Sequence, residues 1–251
     1  MPIEAALNVD LRQAEPSEHA RLRNFYLERT SSALPLPSGK TLGDAMGDGR
    51  LLVVEADRQS PILAAAAIFD YAPRGWKTYV GELAGPCVTD ALGGYGPLGV
   101  QRILLAARVL GYVALNSQVA AGASSTLTVV VKASNARSIA NVVAAGFVQL
   151  EDRPEWMIYD EHEWHGSPVG TEWLYFVATD DTARQAFADL DGVGFFTGTI
   201  SLSRTNKVTA QPETLNLRCR LGALQMARHD LAGIHAGAPA GLSPPPRDLL
   251  P

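Results

Sequence analysis

Two cysteines in 251 residues, Cys87 and Cys219, are too few for a disulfide framework, and no CxxC spacing accompanies them. Neither a stapled secreted scaffold nor a cysteine metal centre is available, and both side chains are expected as buried thiols. There is no excess of positive charge either. With 21 Lys and Arg against 26 Asp and Glu, the net charge of -5 provides no field for a phosphate backbone, so no nucleic-acid partner is expected. No run approaches the ~20 uninterrupted apolar residues that cross a bilayer, and no membrane association is expected. Residues 1–20 carry Glu4, Asp10, Arg12 and Glu15 where a secretory leader would hold an apolar core, so the expected location is cytoplasmic. What remains is 47% apolar and 19% charged residues, a composition that fills a sizeable core, with a small molecule as the default partner.

Residues 7–13 alternate apolar and polar and read as a strand. Pro16-Ser17-Glu18 opens a helix that carries Leu22, Phe25 and Tyr26 on one face toward Ser31, and a shorter helix spans Lys40 to Met46. Leu51–Ala56, Ile62–Tyr71 and Trp76–Val88 follow as an antiparallel meander. The pattern then changes. Val100, Ile103, Leu104, Ala107 and Leu110 recur at helical spacing from Pro97 to about Ala121. Leu127–Val131 reads as a strand buried on both faces, and a helix from Asn135 to Ala145 closes at Gly146. Strand, glycine loop, helix, strand is a parallel crossover, so the sheet is mixed. Phe147–Tyr159 and Glu172–Thr179 read as two more strands, Asp181–Leu190 as a helix, Gly198–Ser203 as a strand and Pro212–Ile234 as a leucine-faced helix.

Gly93-Gly-Tyr-Gly-Pro-Leu-Gly99 is the most informative segment, because Gly94-x-Gly96-x-x-Gly99 follows a strand and opens a helix. Unpaired N–H groups at a helix N-terminus favour an anion, and glycine permits its close approach. One reading is a dinucleotide on a Rossmann unit. Against it, Glu82, Gly85 and Pro86 suit a central parallel strand poorly, and Lys132 stands where an acidic ribose ligand belongs. The other reading is the pyrophosphate of coenzyme A, and flexible glycines at a helix start are the plain structural alternative.

From residue 10 to about 179 the order of elements, with two patches, resembles the GNAT superfamily of acyl-CoA-dependent N-acyltransferases. The first patch is Val88, the glycine loop and Gly99-Val-Gln-Arg-Ile-Leu-Leu105, similar to the family's Q/R-x-x-G-x-G/A loop and the helix behind it. The second, Asn135-Ala-Arg-Ser138 through Gly146-Phe147, is similar to the family's helix beside the pantetheine. The resemblance implies an α/β (α+β) fold with a mixed, mostly antiparallel central sheet flanked by helices, here with a C-terminal extension. It implies acetyl-CoA or another acyl-CoA as co-substrate, held by Val88, Gly93, Gly94, Tyr95, Gly96, Leu98, Gly99, Asn135 and Ser138. Whichever way the loop is aligned, its Q/R position falls on a glycine, and Val142 stands at the position where the family often has a tyrosine acid.

On this resemblance the expected activity is N-acyl transfer, most simply N-acetyl transfer, to an amine of a small molecule by direct attack. Glu82, in the strand leading to the loop, is the candidate general base, because an alkylamine of pKa ~10.4 must shed a proton before it attacks. An outward-pointing strand glutamate is the alternative. Residues 151–175 hold seven carboxylates against Arg153 alone, interleaved with Trp156, Tyr159, Trp164, Trp173 and Tyr175. This suits a cationic acceptor, or else a solvated hairpin with its aromatics in the core. His162 and His165 lack a third ligand nearby and are expected at the surface, so no metal site is expected. Two other functions stay open: a degenerate GNAT-fold protein that binds acyl-CoA or regulates without turnover, and an NAD(P)-binding oxidoreductase. Residues 1–179 are expected as the GNAT-like domain, 180–236 as an extension that packs on it or makes a homodimer, and 237–251 as a proline-rich tail.

Overall fold

The computed structural model describes residues 5–29, 39–71, 79–116, 125–151 and 172–242, and for some strand residues, Glu82 among them, it describes the backbone. Among these residues nine strands form one sheet. They are β1 (Ala5–Gln13), β2 (Leu51–Glu55), β3 (Ala64–Tyr71), β4 (Tyr79–Val88), β5 (Ser125–Lys132), β6 (Val148–Gln149), β7 (Trp173–Val177), β8 (Thr199–Thr205) and β9 (Pro212–Arg220). Their order is β6-β7-β5-β4-β3-β2-β1-β9-β8. Only β4–β5 and β1–β9 pair in parallel, so the sheet is mixed and mostly antiparallel, as the resemblance implied.

The strand alternation sends side chains to two separate cores. On one face Val9, Leu11, Leu52, Val54 and Ile68 meet α3 (Gly99–Asn116) and α5 (Asp180–Gly192), while α4 (Ala136–Ala144) lies beside β5. On the other, Leu51, Val53, Ala65, Ala67 and Phe69 meet α1 (His19–Leu27) and α2 (Gly39–Gly47). Ala64 to Ala67 in β3 have no exposed surface at all, and their small side chains let helices approach the middle of the sheet from both sides. Where α1 begins, Arg12 grips Glu18 with two hydrogen bonds of 2.6 and 2.7 Å and also bonds Glu55, which holds the Glu18 carboxyl down at about 2.

The end of the chain departs from the expected helix at Pro212–Ile234. Residues Pro212–Arg220 form β9, followed by two short helices, α6 (Gly222–Met226) and α7 (Arg228–His235). Leu215, Leu217 and Cys219 are buried while Arg218 and Arg220 are exposed, a period of two that a strand satisfies beside β1. The leucines at 217, 221, 224 and 231 simulate helical spacing only because the series runs across the strand–helix junction. Pro212 opens the strand, where its missing N–H is tolerated. The short β6 covers only the start of the expected Phe147–Tyr159 strand, and residues 152–159 lie outside the described residues. Of the tail, Ala240 and Leu242 donate backbone bonds to Asp180, and residues 243–251 lie outside the described residues.

Gly81 in β4 sits directly under Tyr112 of α3, and a Cβ there would lie 2.6 Å from the ring. Gly81→Ala is therefore expected to destabilise by about 2–3 kcal/mol through overpacking, read as a lower urea midpoint with unchanged m. Full stability in this variant would show that α3 can lift off the sheet without cost.

Candidate functional site

The meander and the crossover meet at β4. It pairs with β5 over four residues only, Tyr79 to Glu82 against Ser125 to Thr128, yet it continues beside β3 to Val88. From Glu82 onward β4 and β5 therefore part, leaving a wedge between them at their carboxyl ends, the side of a parallel pair where ligands sit. Glu82 is the last paired residue, opposite Phe69 on one side and Thr128 on the other. Just beyond it the register with β3 jumps from Ala67↔Ala84 to Ala65↔Cys87, so that one residue of β3 faces Gly85 and Pro86 together. This is a bulge, placed where proline has no N–H to give the ladder. It reverses the alternation of β4. Leu83 enters the first core and Cys87 the second. The Ala67 carbonyl, at the interruption, accepts from the fully buried Arg108 at 2.9 Å, and burial lowers that guanidinium to about 10.

Alternation also decides which amide faces the wedge. Thr89 N–H donates to Leu63 of the neighbouring segment at 2.9 Å, so Val88 N–H points the opposite way, toward the gap. Of Cys87, Val88 and Thr89, Val88 thus presents the donor. Cys87 is a buried thiol pushed up by desolvation, as is Cys219, at about 12. The Thr89 hydroxyl, one residue beyond β4, is buried without a hydrogen-bond partner, a feature invisible in the sequence.

From Val88 a short 3-10 turn at Asp90–Leu92 leads into the glycine loop and α3. Gly94, Gly96 and Gly99 have φ of +77°, +61° and +70°, which explains why glycine stands at each. Their surroundings differ. A Cβ at Gly94 or Gly99 would meet nothing within 4 Å, whereas at Gly96 it would come within 2.9 Å of Leu202 in β8. The loop is thus open at its two ends and pressed against the C-terminal hairpin at its centre, where Gly96 N–H donates to Ser203 at 2.9 Å. Tyr95 is buried, and Leu98 packs half-buried on the first core.

The first turn of α3 and α4 are bonded to each other. Arg102, buried beneath the loop, donates to Asn141 O at 2.8 Å, to Ala144 O, and to Asp189 of α5 at 2.6 Å. Asn141 donates in turn to Gln101 at 3.0 Å. The two sequence patches, some forty residues apart, form one unit in this way, with the Arg102 guanidinium fully engaged inside it. Asn135 caps α4 by accepting from the Ser138 backbone N–H at 3.2 Å, which accounts for Asn135 locally and leaves the α4 N-terminus at the end of β5. Val142 is buried, so no hydroxyl occupies its place.

Of the acidic and aromatic stretch, Trp156, Tyr159, His162, Trp164 and His165 lie outside the described residues, while Tyr175 is buried and Trp173 half-buried in β7. A cleft of about 630 Å³ lies away from the wedge, over β1 between the end of α2 and β9. Most of its charges are paired within it: Arg12 with Glu55, Arg218 and Arg220 with Asp10 at 2.7 and 2.9 Å, and Arg58 with Glu15 at 2.5 Å. No group of three His, Cys, Asp or Glu side chains suited to a metal occurs among the described residues. No helix among them is long and apolar enough to cross a membrane.

No family model matches the chain, and no curated protein matches it. Solved structures do. Naa50 of Arabidopsis thaliana, in complex with a bisubstrate analogue, is 13% identical with a TM-score of 0.48, over 68% of this chain and 98% of that one. A GNAT-family acetyltransferase of Streptococcus pneumoniae is 15% identical with a TM-score of 0.45, over 67% and 96%. The diaminobutyrate acetyltransferase EctA of Paenibacillus lautus, in complex with diaminobutyrate and coenzyme A, is 18% identical with a TM-score of 0.42, over 67% and 93%.

Proposed function

We propose that the chain transfers an acetyl group from acetyl-CoA to the amine of a small molecule. The observation that carries this is the parting of β4 and β5 after Glu82, with the Val88 N–H turned into the gap and the α3 N-terminus at the same end. The residues present suit the co-substrate. Backbone N–H groups of the first turn of α3 have no helical acceptor and favour the pyrophosphate, and the open positions at Gly94 and Gly99 let it approach. The acyl carbonyl accepts from Val88 N–H, which stabilises the oxygen as negative charge develops there. Glu82, through one water, takes one proton from the bound ammonium to give the neutral amine. The amine nitrogen then forms the new bond to the carbonyl carbon, the carbon–sulfur bond breaks, and the leaving thiolate takes up the second proton that the nitrogen sheds.

One observation favours a second reading, binding without turnover. Among the described residues the arginines at the loop are already engaged, Arg102 with α4 and α5 and Arg204 with Gly93 O and Glu213, and Gly96 N–H is bonded to Ser203. One titration separates these from the oxidoreductase. Coenzyme A or acetyl-CoA at ~100 times its dissociation constant is expected to add about 2.7 kcal/mol, and hence several degrees of melting temperature, while NADPH adds nothing. Stabilisation by NADPH alone would end both acyl-CoA readings. Release of free thiol from acetyl-CoA, dependent on an added amine, then distinguishes the enzyme from the binder.

A further inference from the structure

The C-terminal hairpin does more than extend the sheet. Arg204 of β8 reaches the glycine loop with its guanidinium: Nη1 donates to Gly93 O at 2.6 Å, and Cζ lies over the Tyr95 ring, 4.1 Å from its centroid. On its other edge Nε donates to Glu213 of β9 at 2.7 Å. Glu213 also accepts from Asn206 at 2.5 Å and, at 3.4 Å, from the Tyr95 hydroxyl, and the Asn206 and Arg204 bonds hold its carboxyl below the usual range. With Gly96 N–H on Ser203 O and Leu202 against Gly96, the loop is held on both sides of Tyr95. The hairpin in turn is fixed, because β9 pairs with β1 through eight consecutive residues. Each contact between hairpin and loop joins residues more than a hundred positions apart, and glycines lose more freedom than other residues when ordered, so the loop holds one shape more firmly when something outside it imposes that shape.

We propose that the β8–β9 hairpin is the strut that fixes the glycine loop in its ligand-ready shape, with Arg204 as the positioning residue that joins the two. The proposal rests on the acyl-CoA reading for what the loop binds. It explains how a loop without the expected Q/R side chain keeps an ordered cradle: the side chain that shapes it comes from the other end of the chain and acts on the backbone, leaving Gly94 and Gly99 open to the ligand.

The test uses the full chain with Arg204→Lys and, separately, Glu213→Gln. Lysine keeps the charge and the aliphatic stem but cannot fork between Gly93 O and Glu213 while stacking on Tyr95. Amide hydrogen exchange over residues 93–98 is expected to quicken about tenfold in both variants, with β2 and β3 unchanged, since the loss is a local opening. The dissociation constant for free coenzyme A is expected to rise about 5- to 20-fold, and KM for acetyl-CoA with it, at nearly constant kcat. Unchanged exchange over 93–98 in both variants would overturn the strut, and so would a loosened loop that binds coenzyme A as tightly as before. If the unaltered protein fails to bind coenzyme A, the acyl-CoA reading falls, and the exchange pattern alone then decides whether the hairpin holds the loop.

Discussion

Arg102→Ala is expected to destabilise the protein by about 3–5 kcal/mol, a large part of the ~5–15 kcal/mol that holds an ordinary domain folded. The Arg102 side chain is 7% exposed and that of Asp189 8%, so the pair is all but removed from water. Removing the guanidinium leaves a buried carboxylate whose remaining side-chain bond is to Gln185 at 2.8 Å, takes the side-chain donor from the Ala144 carbonyl at the end of α4, and leaves Asn141 O with the Ala145 N–H as its donor. Volume is not the main loss. Arg102→Met, which refills most of the space, is expected to recover little alone but much more when Asp189→Leu removes the stranded charge. Equilibrium urea unfolding of the four proteins closes this cycle. If Arg102→Met on its own were as stable as the unaltered chain, the link between α3 and α4 would be a matter of packing.

The same residue shows what the sequence could and could not reveal. Helical spacing around Arg102 and the glycine stop at Gly146 mark α3 and α4, because each pattern is local. That Arg102 spends its charge on Asn141, Ala144 and Asp189 is a relation among three segments, and no periodicity encodes it. Gly85-Pro86 announces an interruption of β4, since proline cannot serve a central ladder, and the bulge falls there. The consequence that Cys87 and Leu83 enter different cores follows only once the register is known. Further on, Leu217, Leu221, Leu224 and Leu231 mislead, because a strand and a helix joined end to end can spell a helical face neither possesses. Most of the site's support was illegible for the same reason: Arg204 follows the expected Gly198–Ser203 strand, Glu213 falls within the expected helix at Pro212–Ile234, and their meaning depends on a loop at residue 93 coming to them.

On the proposed chemistry, Glu82→Gln is expected to lower kcat for amine acetylation near pH 7 about 10²- to 10⁴-fold, with the affinity for coenzyme A nearly unchanged. The substitution keeps shape and the backbone pairing with Phe69 and Thr128, so the wedge and the Val88 amide stay in place. What it removes is the acceptor for the proton. An alkylamine with a pKa of ~10.4 is about 0.04% neutral at pH 7. Without a base the variant must wait for that fraction, and its deficit should shrink about tenfold for each pH unit until the amine itself titrates. An inactive but misfolded protein would show no such recovery and would lose coenzyme A binding as well. A constant deficit at all pH values would make Glu82 a positioning residue, and an undiminished rate at pH 7 would remove it from the mechanism. Either result would move attention to the orphaned hydroxyl of Thr89, the residue that follows Val88, as the next group to test.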